Sequence, residues 1–133
     1  MNKILIVCGL LMVSTVAFAD DITVESCADG AGTVITGVVS GHKYCMSNKG
    51  MNYWNAVAWC DGQGRRLFSM DDCACSGTTN CAEKCPEMVN VVSCHRWTDT
   101  PIGTTQMYMV PSGGGKPRSL DRAYNYDCCA LCK

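Results

Sequence analysis

Cysteine supplies most of the chemistry that this chain could perform. Cys129-x-x-Cys132, preceded by Cys128, has the spacing of a redox dithiol. Such a dithiol needs a helix N-terminus and an exposed thiolate of low pKa, whereas this pair falls on a segment that reads as strand. Cys73-x-Cys75, Cys81, Cys85 and Cys94-His95 could hold a soft metal. However, Cys-x-Cys followed by Cys-x-x-x-Cys is not a standard zinc spacing. His42 and His95 are the only histidines, too few for an acid–base machine built on imidazole. No nucleophile with a paired base, no phosphate loop and no spaced acid pair stands out. The reading is therefore of a protein that is not an enzyme and carries no cofactor and no metal.

The first 19 residues read as a secretory signal peptide. Lys3 makes the start positive, Ile4 to Val16 is an apolar run, and Ala17-Phe18-Ala19 is a small-x-small cleavage site. The run falls short of the roughly 20 residues that a membrane helix needs, and no later segment approaches that length. Cys8 lacks the small residues expected before a lipoprotein cysteine. Residues 20–133 then form one domain, able to bury a modest core. Eleven of the 12 cysteines lie in it. Export and cysteine density support each other, because disulfides persist outside the reducing cytosol. The expected location is secreted or periplasmic. Eleven is odd, so at least one thiol stays unpaired, caps a partner chain in a disulfide-linked dimer, or binds something else. Without Lys3, 10 basic residues face 12 acidic ones. So balanced a charge argues against a nucleic-acid or anionic-membrane partner.

The elements that must position these cysteines can be read from local pattern. Residues 20–45 form a β-rich N-terminal extension around Thr33-Val34-Ile35-Thr36-Gly37-Val38-Val39, bounded by Gly30, Gly32 and Gly41. Cys27 and Cys45 bracket it and could staple it. Residues 52–62 read as a short helix. Asn52 is the N-cap, and two apolar series run at helical spacing: Trp54, Val57 and Ala58, and Tyr53, Ala56, Val57 and Cys60. Gly62 and Gly64 end it. Ser69 with Asp72 three residues on marks another helix start. Pro86 opens a further short helix, after an irregular cross-linked loop from Cys73 to Cys85. Gln106-Met107-Tyr108-Met109-Val110 and Ala130-Leu131-Cys132 read as strands.

Tyr44-Cys45, the segment from Tyr53 to Cys60 and the segment from Gly64 to Asp71 together resemble the first half of a C-type-lectin-like domain. Trp54, Val57 or Ala58, Cys60, Gly64 and Leu67 take the places of that family's Trp-x-x-Ala-x-x-x-Cys helix and Gly-x-x-Leu strand entry. The closing Ala130-Leu131-Cys132-Lys133 is similar to the family's last strand. Trp97-Thr98-x-Thr100, Tyr108-Met109-Val110 and Gly115 resemble bacterial branches of the fold, including relatives of the formylglycine-generating enzymes. That activity is not implied, because fold does not carry chemistry. The resemblance covers roughly residues 42–133. It implies an α+β fold of short helices and small antiparallel sheets, and a bond from Cys60 to Cys132. It also implies a second bond from Cys94 to Cys128 or Cys129. Cys73, Cys75, Cys81 and Cys85 are extra to the pattern and are expected to pair among themselves.

The departures from the family bear on function. The Glu-Pro-Asn or Gln-Pro-Asp and Trp-Asn-Asp triplets that bring oxygen ligands to calcium in sugar-binding members are missing. Tyr124-Asn125-Tyr126-Asp127 is the nearest echo. The expectation is a binding module for a glycan or protein surface that works without calcium. The competing expectation is a periplasmic thiol-redox or metal-handling protein using the extra cysteines. The candidate ligand residues are Arg118, Asp121, Arg122, Tyr124, Asn125 and Tyr126, a polar and aromatic stretch after Gly113-Gly114-Gly115. Such residues suit adaptable binding surfaces, and the resemblance puts them near the variable ligand-binding loops. A plain solvated loop is the competing reading. Trp54, Trp59 and Trp97 read as core.

Overall fold

The computed structural model describes residues 27, 28, 30, 32–74, 85–89, 94–113 and 116–133. The signal-peptide reading of residues 1–19, and the pairing of Cys75 and Cys81, lie outside the described residues. Among the described residues the architecture is α+β: one α-helix and, in place of the expected small antiparallel sheets, a single six-stranded mixed sheet. The strands are β1 (Gly32–Thr36), β2 (Lys43–Gly50), β3 (His95–Ile102), β4 (Gln106–Val110), β5 (Arg118–Asp121) and β6 (Cys128–Cys132), and the helix is α1 (Tyr53–Gly62). Their order across the sheet is β1-β2-β6-β3-β4-β5. The last strand thus lies in the middle, antiparallel to β2 and parallel to β3.

A central strand is covered on both faces, and β6 is buried at all five positions. Because side chains alternate across a strand, Cys128, Ala130 and Cys132 join one core cluster and Cys129 and Leu131 the other. The first cluster includes Ala56 and Cys60 of α1, with Trp97, Met107 and Met109. The second gathers Tyr44, Phe68, Met88 and Val110 on the opposite face.

Among the described residues, four disulfides tie these layers together: Cys27–Cys45, Cys60–Cys132, Cys73–Cys85 and Cys94–Cys129. Cys128 is not in a disulfide, which corrects its assignment as a partner for Cys94; its thiol is free and buried. The reason is the strand's alternation. Cys94 packs against the second cluster, where Cys129 also points, while Cys128 points to the α1 face.

Helix α1 is capped as its sequence indicates, with the Asn52 side chain accepting from the Asn55 N–H at 2.9 Å. Of its two apolar series, the one containing Ala56 and Cys60 faces the core. Trp54 and Ala58 are exposed, so Trp54 is not a core residue. Trp97 is fully buried, and its indole N–H donates to Met51 O at 2.6 Å. Trp59 is partly buried against the first cluster.

The β-rich extension is part of the sheet. β1 pairs with β2 from Gly32↔Ser47 to Thr36↔Lys43, but it stops at Thr36. The Val39 and Ser40 N–H groups donate instead to the buried Glu87 carboxylate, at 3.1 and 3.2 Å. A Cβ at Gly37 would meet that carboxylate at 2.0 Å, so a larger residue there would push Glu87 out of its present position.

Ser69 and Asp72 do form a reciprocal capping box, but around a 3-10 turn over Met70–Asp72. Pro86–Met88 is likewise a 3-10 turn.

Candidate functional site

The N-terminal end of α1 meets the β4–β5 end of the sheet, and three separate segments converge there. Tyr53 is the hub. Its ring lies edge-on to Trp97 at 6.0 Å, which seats it on the core. Its hydroxyl donates to Asp99 Oδ1 at 2.6 Å. Burial, with the Asp99 bond and charge adding to it, raises the Tyr53 phenol to about 12, so it stays a neutral donor. The Tyr53 N–H donates to Arg122 O at 3.0 Å. The Arg122 guanidinium in turn lies 5.7 Å from the Tyr53 ring centroid, an attraction of about 0.5–2 kcal/mol.

Arg122 is held from its other side as well. Its Nη1 donates to Thr104 O at 3.0 Å and its Nε to Met107 Sδ at 3.2 Å. None of these contacts uses Nη2. Next to it, Asp121 Oδ1 accepts the Ala123 N–H at 2.8 Å, and no such bond engages Oδ2. Both residues line a shallow cleft of about 190 Å³, together with Trp54, Thr104 and Thr105. Trp54 is 56% exposed there. A single exposed aromatic needs no explanation, but this one lines a cleft with two charged side chains.

Of the six residues expected to bind a ligand, Asp121 and Arg122 line this cleft. Tyr124 and Tyr126 stand next to it in sequence as an edge-to-face ring pair, 5.5 Å apart. The Tyr124 hydroxyl donates to Asp127 Oδ1 at 2.5 Å. Asn125 is exposed. Arg118 is exposed three residues before Asp121 on β5, so strand alternation puts the two on opposite faces. Trp54 was missed as a site residue. The signal that could have found it was its exclusion from the Ala56–Cys60 face of the same helix.

A second cleft, of about 280 Å³ and lined by Ser47, Asn48, Lys49, Met51 and Trp59, is mainly apolar.

Asp127, the carboxylate of the nearest echo of a calcium triplet, accepts from Tyr124 and faces His95 Nε2 at 3.6 Å. Among the described residues, no three His, Cys, Asp or Glu side chains converge as a metal site would require.

The Cys129-x-x-Cys132 motif is not a dithiol pair. Cys129 is bonded to Cys94 and Cys132 to Cys60. Burial, with the Asp127 charge adding to it, pushes the free Cys128 thiol far up, the opposite of an activated nucleophile.

Among the described residues, no helix is long and apolar enough to cross a membrane. No family model, curated protein or solved structure matches the chain.

Proposed function

We propose that this chain is an exported, C-type-lectin-like binding module that recognises a glycan or protein surface without calcium. The observation that carries the reading is the exposed Trp54 set against Asp121 and Arg122 in one cleft. Rigid aromatic and arginine side chains in pockets are what binding surfaces concentrate. Here the arginine is held in place before any ligand arrives, which lowers the ordering cost of binding.

Two further observations support the lectin-like architecture and export. The Cys60–Cys132 bond ties the first helix to the last strand, as the resemblance implies. Four disulfides suit an oxidising compartment.

The test is a screen of the oxidised protein, residues 20–133, on glycan and peptide arrays with a chelator present. Saturable binding to one probe class is expected. Binding that appears only when calcium is added, or no binding to either array, would contradict the reading.

A further inference from the structure

The two outer strands of the sheet, β1 and β5, differ as edges. An open row of backbone N–H and C=O groups recruits another strand, and natural edges are blunted with charge, proline or a bulge. β5 begins on Arg118 and ends on Asp121. β1 reads Gly32-Thr33-Val34-Ile35-Thr36, with no charge and no proline, and its register with β2 runs without a bulge. Every residue after Gly32 is β-branched, the type that strands favour. We infer that β1 pairs with the β1 strand of a second copy of this chain, antiparallel about a two-fold axis at Val34, so that the two sheets become one.

The hairpin decides which backbone groups face outward. The Gly37 N–H donates to His42 O at 2.8 Å, one step beyond the Thr36↔Lys43 pair. Hydrogen-bonded positions alternate along an antiparallel pair. Ile35 and Thr33 therefore turn their N–H and C=O groups toward β2, while Gly32, Val34 and Thr36 turn theirs away. Among the described residues no strand lies on that side of β1.

The partner follows from the fit of this edge to itself. Residues directly opposite one another share a face of the sheet, so the two-fold must pass through a residue. Val34 is the centre that engages all three outward residues. It sets Val34 opposite Val34, and Gly32 of each copy opposite Thr36 of the other. Each such pair exchanges two backbone bonds, about six in all. On the other face Thr33 meets Ile35. No charges oppose each other. Lys43 is held through Nζ to Thr36 Oγ1 at 2.7 Å, and the two copies of that pair lie at opposite ends of the joined strands. Their separation along the strands is about 13 Å, beyond a Debye length of about 8 Å in physiological salt. A foreign strand is selected by side-chain pockets beside the edge, and no β1 residue lines either cleft described above. Self-pairing needs none.

β5 is the edge farthest from β1, and its Asp121 lines the Trp54 cleft. The pairing therefore leaves one cleft free toward each end of the joined sheet, and a surface displaying many ligands would be gripped by two clefts at once. So short a strand pair buries less than the roughly 1,200 Å² of a stable interface. The dimer is accordingly weak, with a dissociation constant between about 10 µM and about 1 mM.

The experiment takes the oxidised protein across that concentration range. Sedimentation equilibrium should show the average mass rising from one copy toward two. Hydrogen exchange should show protection rising with concentration at the Val34 and Thr36 amides and staying constant at Thr33 and Ile35. V34K and V34E each place like charges opposite one another on the two-fold, so each should remain monomeric. An equimolar mixture of the two should dimerise again. The exchange measurement needs no variant and stands if a substitution disturbs the fold. A wild-type protein that stays monomeric at about 1 mM, with protection at Val34 and Thr36 independent of concentration, overturns the inference. A dimer that folded V34K leaves intact also overturns it, because the interface then lies elsewhere. A monomer that captures an extended array peptide only while Val34 is present overturns the second copy and gives the edge to a foreign strand. All of these readouts are independent of Trp54, so the inference and the binding reading stand or fall separately.

Discussion

Cys60 on the helix and Cys132 on the central strand are joined by a disulfide, with their Cα atoms 5.4 Å apart and 72 positions apart in sequence. The bond fixes α1 against β6 in the first core cluster. It therefore sets where the N-terminal end of the helix, with Tyr53 and Trp54, meets β4 and β5. Closing a loop of that length is worth about 4 kcal/mol in the chain-entropy model. The double variant C60A/C132A should lose more than about 10 °C in melting temperature, or fail to fold. A calorimetric loss of only a degree or two would show that packing alone holds the helix.

Asp72 carries a pH dependence. Burial by itself would raise its carboxyl, but hydrogen bonds from Arg66, the Ser69 N–H and Lys133 outweigh it and hold the group at about 2, below its ordinary 3.8. The Arg66 pairing is bidentate, with both bonds at 2.7 Å, and Lys133 adds a third at 3.0 Å. A carboxyl depressed in the folded state contributes stability that is present above its unfolded value. That stability is lost as pH falls from about 4 through about 2. With Arg66 half exposed, the contribution should be on the order of 1–2 kcal/mol. Urea melts of wild type and D72N from pH 7 to pH 2 should converge by about that amount at the acid end. Parallel curves would contradict the assignment.

Glu87 acts as a clasp on the β1–β2 turn. Its carboxylate accepts from Val39 and Ser40, and its backbone carbonyl from Val38 at 3.0 Å. E87A removes the acceptor from two amides, for an expected cost of about 1–3 kcal/mol. E87Q keeps one acceptor oxygen and should cost less. Hydrogen exchange should report faster exchange at Val39 and Ser40 in E87A. Unchanged protection there would show that the clasp is incidental.

Cys128 should be silent in the folded protein. It is fully buried, and its thiol is driven away from the reactive thiolate form. A buried thiol is also poorly placed to bridge two chains. Labelling with one maleimide under native conditions, and a second mass-distinct one after denaturation without reductant, should put only the second label on Cys128. A native label at that position would overturn the burial assignment.

The parts of this molecule that were legible in the sequence are those set by local physics. The Asn52 cap, the Ser69–Asp72 capping box, the strand at Gln106–Val110 and the strand through Cys132 all depend on neighbours a few residues away. The choice between Cys128 and Cys129 does not, because a one-residue change of register exchanges the faces of a strand. That choice is made by which face Cys94 packs against. The end of β1 at Thr36 depends on a carboxylate 48 residues from Val39. Trp54 belonged to one of two apolar series that fit the helix equally well, and only packing against Trp97 and β6 decides between them. The cleft draws on α1, the turn before β4 and the end of β5. Its polar half, Asp121 and Arg122, was visible as a stretch of composition, while its aromatic half was visible only once the helix was docked.

The measurement that bears most directly on the account compares wild type and W54A on the same glycan and peptide arrays, with a chelator present and melting temperatures recorded. Trp54 is largely exposed, so W54A should melt within about 1 °C of wild type, as surface changes usually do. It should nevertheless lose at least tenfold in binding to the probe that wild type selects. Binding unchanged in a W54A protein of unchanged stability would place the ligand elsewhere and contradict the account.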